Sequence, residues 1–446
     1  MTSKILINAV DPEELRIAKV TESRLEEFQI ESAGRESIHG NIYKAVVVRV
    51  EPSLQAVFVD FGGERNGFLQ LHEIHSDYFQ ETHTSNRSIQ HLIKKGQEIL
   101  VQVTKDPVMK KGANMTTYIS LAGRFIVLLP GSANKGISRK IEDEAERKRL
   151  NDLIDNIRIP EGFGIIMRTV GRECNKSQIL KDLRYLMRLW KNINQKGTKA
   201  EAPCLLYKER SLVVRSIRDY FTTNVTEILI DDEAVYQEIK NFMAIISPKH
   251  RRIVKKYGAE KPIFAKYQLE EQIASIFERR VKLKSGGSIV IEQTEALVAI
   301  DVNSGRFTQK KDLEHTALNT NLEAAEEVAR QIRLRDLGGL IVVDFIDMRD
   351  TKHRSAVERE LREHFKLDKA RTRIGRISQF GLLEMSRQRL APSIEFGSLV
   401  SCPSCRGKGW IPSTETLAVR FLRRLKMESS KAGIHKIHGS VPVAVA

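Results

Sequence analysis

"SIVIEQTEALVAIDVNSG" (Ser288–Gly305) and "NTNLEAAEEVARQIRLRDLGGLIVVDFIDM" (Asn319–Met348) spell out a β-hairpin, a helix and a further strand. "SIVIEQ" and "ALVAIDVN" are short β-branched runs separated by the turn residues Thr294 and Glu295, the pattern of a hairpin. Alternation of period two places Leu297, Ala299, Asp301 and Asn303 on one face of the second strand and Val298, Ile300 and Val302 on the other. Leu322, Ala325, Val328, Ala329 and Ile332 then form a helical stripe, closed by Gly338 and Gly339. "LIVVDFIDM" follows as a buried strand that carries Asp344, with Asp347 three residues on.

An aspartate inside so apolar a run is costly unless it is paired or binds a metal. Two of them, at or near strand ends of one β-α-β unit, can converge on a hard cation, and Mg²⁺ is commonly held by one or two carboxylates plus water and phosphate. Asn303 shares a face with Asp301, so its amide can donate to a phosphate oxygen or hold a water. For a single aspartate the simpler account is a loop hydrogen bond or an Arg partner; for the pair, in a strongly basic chain, a metal is favoured. Metal-assisted attack of water on a phosphodiester is the chemistry that follows.

The chain has 446 residues, long enough for roughly two to four domains. Its net charge of +16 points to a polyanion, nucleic acid first and an anionic membrane surface second. "MTSKILINAV" lacks the apolar core of a signal peptide, and no apolar run approaches the roughly 20 residues of a membrane span. Four cysteines in so long a chain fit a reducing compartment, so a cytoplasmic nucleic-acid-binding protein is expected.

Asn41 to Leu121 reads as about five short strands, the size of a Greek-key barrel of the oligonucleotide-binding type. Phe58 and Phe68 fall among Lys44, Arg49, Arg65 and Lys105, a mixture suited to stacking bases beside phosphates, although either ring reads equally as barrel core. Beyond it, "IEDEAERKRLNDLIDNI" and "SQILKDLRYLMRLWKNI" have helical stripes. Between them "GFGIIMRTVGREC" is a strand ending at Arg168 and Thr169, a fork and a hydroxyl that suit a terminal phosphate. "LVVRSIRDYF" and "EILIDD" read as strands, and "SPKHRRIVKKYG" as a solvated basic helix face. Near the end, "CPSCRGKG" pairs Cys402 with Cys405 at a metal-knuckle spacing. A structural zinc wants four ligands, and the spacing of Cys174 and Cys204 gives no reason for them to join.

In order along the chain, "LINAV.PEELRIA", "NIYKAVVVRVEPSLQAVFVDFG", "TEALVAIDVNSG", "NTNLEAAEEVARQIRLRDLGGLIVVDFIDM", "FGLLEMSRQR" and "CPSCRGKG" resemble the ribonuclease E/G family of bacterial endoribonucleases. The resemblance implies an α/β multidomain chain: an RNase H-like scaffold (1–37 with 213–276) into which an S1 domain of OB fold (38–121) and a 5′-sensor domain (122–212) are inserted. A DNase I-like catalytic domain (277–398), a zinc-link (399–412) and a partial small domain (413–446) follow, the last made of the helix "TETLAVRFLRRLKMESS" and one strand. By resemblance Asp301 and Asp344 bind catalytic Mg²⁺ and Asn303 bonds around the scissile phosphate. Arg168 and Thr169, with Gly123 and Val127, form the 5′-monophosphate sensor; Phe58, Phe68 and Lys111 contact RNA. Cys402 and Cys405 bind a structural Zn²⁺ shared with a second chain, so that a two-fold axis supplies the missing thiolates.

The implied activity is Mg²⁺-dependent cleavage of single-stranded RNA, leaving a 5′-phosphate, in RNA processing and decay, by a homodimer or a dimer of dimers. The rivals are a non-catalytic S1-type RNA-binding protein, which leaves the aspartate pair without a purpose, and a DNA-directed nuclease, because the catalytic fold does not itself select the sugar.

Overall fold

A computed structural model describes residues 2–32, 37–80, 88–107, 111–141, 143–209, 211–222, 224–305, 313–390, 393–394, 399–400, 402–405, 407, 409–433 and 436–441. The chain forms two compact units, Met1–Ile394 and Glu395–Ala446. Among the described residues the first contains four sheets, each packed on an apolar core.

Strands β1 (Ser3–Asn8), β2 (Glu14–Thr21) and β3 (Arg24–Ser32) form an antiparallel meander, extended through β1 by the parallel strands β14 (Val225–Ile230) and β15 (Val254–Lys256). This sheet therefore joins the first 32 residues to a segment some two hundred residues later. Its core includes Ile5, Ile7, Ile17, Ile228 and Ile230 packed on the helices Leu212–Tyr220 and Glu233–Ile246.

"LVVRSIRDYF" is thus not a strand. Ser211 caps a helix by accepting from the Val214 N–H, and Leu212, Val213, Ser216, Ile217 and Tyr220 are buried at helical spacing. Two adjacent valines favour a strand locally, but the cap and the amphipathic burial outweigh that preference. The basic run also differs from expectation: it is a 3₁₀ turn, Pro248–Ile253, that runs into edge strand β15. Proline opens the turn, and Val254 enters the core.

Strands β4 (Ile42–Glu51), β5 (Ala56–Asp60), β6 (Gly67–Gln70), β7 (Glu98–Lys105) and β8 (Asn114–Thr116) close into a five-stranded barrel, because β4 pairs with both β5 and β7. β13 (Cys204–Tyr207) adds to the free edge of β4. The barrel is filled by Val47, Val57, Val59, Leu69, Val101 and Met115. Beside it lies a sheet of β9 (Leu121–Ala122), β10 (Ile126–Pro130), β11 (Lys135–Ile137) and β12 (Phe163–Met167), packed against the helices Glu144–Asp155 and Lys176–Lys199.

The last sheet has the order β16 (Arg280–Lys282), β17 (Ser288–Gln293), β18 (Leu297–Asn303), β19 (Gly339–Asp344), β21 (Leu382–Arg387), β20 (Thr372–Ile377). The expected hairpin is β17–β18, turned by Thr294, whose hydroxyl donates to the Leu297 carbonyl. β18 and β19 are parallel, connected through the helix Leu313–Leu334, which covers one face together with the helix Thr351–Phe365. A parallel pair requires such a crossover. Among the described residues no helix is long and apolar enough to cross a membrane.

The second unit contains the helix Thr414–Ser429, capped by Ser413. Of the strand expected in the closing "GSVPVAVA" (439–446), residues 439–441 are not in a strand and 442–446 lie outside those described.

One buried ion pair fastens the last sheet. Arg387 on β21 donates to both Asp368 oxygens, at 2.7 and 3.1 Å, and to Asp336 and the Leu337 carbonyl. Both Arg387 and Asp368 are buried. Removing one member leaves the other charge buried without its main partner, so Asp368→Ala should destabilise the first unit by about 3–5 kcal/mol. Urea unfolding followed by tryptophan-independent circular dichroism measures it; a loss below about 1 kcal/mol would mean that the pair is replaceable by water.

Candidate functional site

The register of β18 against β19 pairs Asp301 with Asp344. Adjacent strands are about 4.8 Å apart, so the two carboxyls leave neighbouring backbones side by side. Alternation turns Ile300, Val302 and Val343 into the core, and Asp301 and Asp344 onto the face opposite the helices. Both aspartates are exposed, and so is Asp347. The expectation that an apolar run buries Asp344 is therefore corrected: β19 is buried on one face only, and the aspartate ends it on the open one.

What distinguishes the site is charge rather than burial. Among the described residues, none of Asp301, Asp344 and Asp347 has an arginine or lysine ion-pair partner, in a chain that carries +16. Partial desolvation, then the charges of Asp301 and Asp347, hold the Asp344 carboxyl above the usual carboxylate range. A divalent cation would relieve that repulsion. Asn303 donates from Nδ2 to Asp301 Oδ2 at 2.6 Å, which fixes the amide beside the carboxylate. Following the same register across the open face, Arg280 on β16 lies in line with Val290 and Asp301, and Lys282 in line with Ser288 and Asn303. Arg373 on β20 lies opposite Ser386 at the other edge. All three cations are exposed, so a carboxylate centre is flanked by positive edges.

The loop after β19 is held by Asn321. This fully buried helix residue donates to the Ile346 carbonyl at 2.8 Å and accepts from the Ile346 N–H at 3.0 Å. Glu314, near the start of that helix, accepts from the backbone N–H groups of Arg349 and Asp350 and from His353. Among the described residues there is no ready-made group of three or more metal-ligating side chains, so the pair Asp301 and Asp344 would hold a cation largely with water and substrate oxygens.

The second candidate cluster is at the end of β12. Pairing of β10 with β12 and β9 brings Val127 opposite Ile166 and Ala122, next to Gly123 and Arg168. Arg168 donates to the Gly123 carbonyl at 2.7 Å and to Asp219 Oδ1 at 2.6 Å. Burial alone would raise the Asp219 carboxyl, but Arg168 and Arg218 outweigh it and hold the group below the usual range. Gly123 is buried, and a Cβ there would stand 2.5 Å from the Asp182 carboxylate. That carboxylate accepts from the N–H groups of Arg124, Phe125 and Ile126, so only glycine admits it. Thr169 opens a 3₁₀ turn just past Arg168 and, among the described residues, its hydroxyl makes no hydrogen bond. The four sequence-predicted residues are thus together, with the Arg168 fork already engaged by Asp219.

On the barrel, Phe58 and Phe68 are opposite each other on β5 and β6, half-buried on the outer face, with ring centroids 5.6 Å apart. They are surface rings and not barrel core. Arg49 lies 5.0 Å over Phe58. Lys111 is exposed, placed by Gly112, whose close approach to the Asn66 carbonyl leaves no room for a side chain. Lys44 does not join them; it donates to the Ala200 carbonyl and pairs with Glu98.

In the second unit, the backbone N–H groups of Cys405 and Ser404 point at the Cys402 sulfur and hold its thiol below the usual value. A turn that stabilises a thiolate in this way fits half of a thiolate metal site.

Sequence reading missed Asp182, Asp219 and Asn321. The first two act across more than 50 residues and leave no local signal. Asn321 did leave one: it occupies the buried stripe, four residues before Ala325 and seven before Val328, where a polar residue needs a partner.

Comparison with known proteins adds three family matches: "Ribonuclease E/G family" over residues 120–390, "S1 RNA binding domain" over 37–117, and "RNase E/G, Thioredoxin-like domain" over 401–446. The chain is 46% identical to ribonuclease E of Haemophilus influenzae, over 99% of its own length and 48% of the relative's. It is 46% identical to ribonuclease E of Escherichia coli K12, over 99% of its length and 42% of the relative's. It is 36% identical to ribonuclease G of the same strain, over 95% of its length and 88% of the relative's. The chain spans about half the length of the ribonuclease E relatives it matches.

Proposed function

The chain belongs to the ribonuclease E/G family, and on that footing we propose that it is a Mg²⁺-dependent endoribonuclease acting on single-stranded RNA in RNA processing and decay. The observation that carries this reading is the unpaired, side-by-side placement of Asp301 and Asp344 on an open sheet face. In the proposed architecture the sheet of β1–β3, β14 and β15 is the RNase H-like scaffold, and the barrel is the S1 domain. The sheet of β9–β12 is the 5′-sensor domain, and β16–β21 form the DNase I-like catalytic domain. The second unit holds the zinc-link and small-domain residues. The proposed setting is the cytoplasm.

Asp301 and Asp344 are the residues that would hold Mg²⁺, which when bound supplies an acidified water and stabilises charge on the phosphodiester. Asn303, kept in place by Asp301, offers its remaining amide hydrogen to a phosphate oxygen. Asn321 keeps the Asp344–Asp347 loop in one geometry. Phe58 and Phe68 present faces on which bases stack, beside the Arg49 cation, and Lys111 contacts the backbone. Arg280, Lys282 and Arg373 draw the strand onto the open face. At the sensor, Arg168 and Thr169 bind a terminal phosphate, with Gly123 and Val127 shaping the pocket. Asp219 keeps the Arg168 fork oriented until a phosphate shares it.

Cys402 and Cys405 would hold Zn²⁺, completed by the same two residues of a second chain, so that the metal links a homodimer, which could in turn pair through a separate surface. The lowered Cys402 thiol supports this reading.

Asp301→Asn and Asp344→Asn should each reduce cleavage at least ~10²-fold while RNA binding survives or tightens, since each weakens transition-state stabilisation. Near wild-type cleavage by either variant at saturating Mg²⁺ would remove that aspartate from the metal site. Arg168→Ala should erase the preference for 5′-monophosphorylated over 5′-hydroxyl RNA, because a charge-assisted phosphate contact contributes roughly 1.5–3 kcal/mol. Equal loss on both substrates would make Arg168 structural, through Asp219. Metal analysis with light scattering should give about one zinc per two chains, and Cys402→Ser should shift the assembly towards monomer. One zinc per chain, insensitive to that change, would contradict a shared site.

A further inference from the structure

The helix Lys176–Lys199 has two faces of opposite character. Ile179, Leu183, Leu186 and Ile193 are buried against the sheet of β9–β12. Its one carboxylate, Asp182, is also turned inward, where it binds the backbone of Arg124, Phe125 and Ile126. On the outer side, Lys181, Arg184, Arg188 and Lys191 follow one another at helical spacings of three and four, with Gln195 and Lys199 continuing the line. All six are exposed. At 100° per residue they fall in a band directly opposite the core, and the four leading cations extend over about 15 Å of helix.

Among the described residues, none of these five cations has an ion-pair partner. Other exposed cations are matched, as Lys4 and Lys255 are by Glu227 and Lys256 by Glu233, and others, such as Arg280 and Lys249, have no ion-pair partner among the described residues. What sets this helix apart is four cations in one line on a face that carries no carboxylate. The helix is made rigid by a capping box, in which Asn175 accepts from the Gln178 N–H at 3.0 Å and Gln178 accepts from the Asn175 N–H at 2.9 Å. A rigid, single-sign stripe without counter-charges costs self-repulsion, and a polyanion relieves it.

We propose that the outer face of the helix Lys176–Lys199 is a second RNA-binding track, which holds the phosphate backbone through Lys181, Arg184, Arg188 and Lys191. Successive cations rise by about 4.5–6 Å along the helix, so a strand laid along it meets one cation every one or two phosphates. RNA is the partner because the same chain carries the S1 RNA-binding match and the surface aromatic pair Phe58–Phe68. The apolar residues beside the stripe, Leu180, Tyr185 and Met187, are packed against the core of the β9–β12 sheet, whereas insertion into a lipid interface needs an exposed apolar face. The track is separate from the cleavage centre and from the terminal-phosphate cluster, which touches only the inner face of this helix. It therefore binds RNA whether or not the chain cleaves it.

The test is RNA binding in magnesium-free buffer, over a salt series, with a single-stranded RNA of about 40 nucleotides. The full chain is compared with Lys181→Gln, Arg184→Gln, Arg188→Gln and Lys191→Gln combined. The expected result is a log affinity–log salt slope flatter by about 3, with affinity at least about tenfold lower at low salt. A swap that keeps the charges (Lys181→Arg, Arg184→Lys, Arg188→Lys, Lys191→Arg) should restore both. A charge-matched control, with Lys249, Arg251, Arg252 and Lys261 changed to Gln, should leave the slope within about 1 of the parent. An unchanged slope in the helix variant, or an equal change in the control, would overturn the proposal. So would loss of binding to phosphatidylglycerol vesicles with RNA binding intact.

Discussion

The parallel pairing of β18 with β19 is the constraint from which the site follows. It sets Asp301 and Asp344 on adjacent strands at the same level, and it demands a long crossover, supplied by the helix Leu313–Leu334. That helix buries one face of the sheet, which leaves the other free for polar chemistry. Its Asn321 then fixes the loop that continues from Asp344. Fold and site are thus set by one β-α-β unit.

The same helix ties the unit to the rest of the chain through charge. Arg330 is held by Glu327 and donates to the Leu25 carbonyl of β3, and Arg24 of β3 returns to Glu326 and Glu327. Arg333 pairs with Glu26. Arg335, only 1% exposed, donates to the Ser275 and Glu278 carbonyls. Buried cations satisfied this fully fix orientation more than they add net stability, since desolvation offsets much of the attraction. On the open sheet face and on the outer side of Lys176–Lys199, by contrast, charges of one sign are grouped and exposed without ion-pair partners among the described residues.

Much of this was legible in the sequence where the signal is local. Alternation in "ALVAIDVN" gave the faces of β18 correctly, and the helical stripes around Leu183 and Val328 are the buried ones. Reading failed where one pattern admits two partners. "LVVRSIRDYF" has the β-branched content of a strand, and only its Ser211 cap and later packing make it a helix. "LIVVDF" reads as buried on both faces, yet its alternate residues Leu340 and Asp344 are exposed, because among the described residues no element covers that side. Asp219 and Asp182 were out of reach, since they meet Arg168 and Gly123 only after the chain has folded.

The central claim is that Asp301 and Asp344 jointly bind one divalent cation. Manganese binding followed by electron paramagnetic resonance tests it without reference to cleavage, because bound Mn²⁺ loses the spectrum of the free ion. The account predicts one weakly held Mn²⁺ per chain, displaced by Mg²⁺ and lost in both Asp301→Asn and Asp344→Asn. Retention of that Mn²⁺ with unchanged affinity in either variant would contradict it.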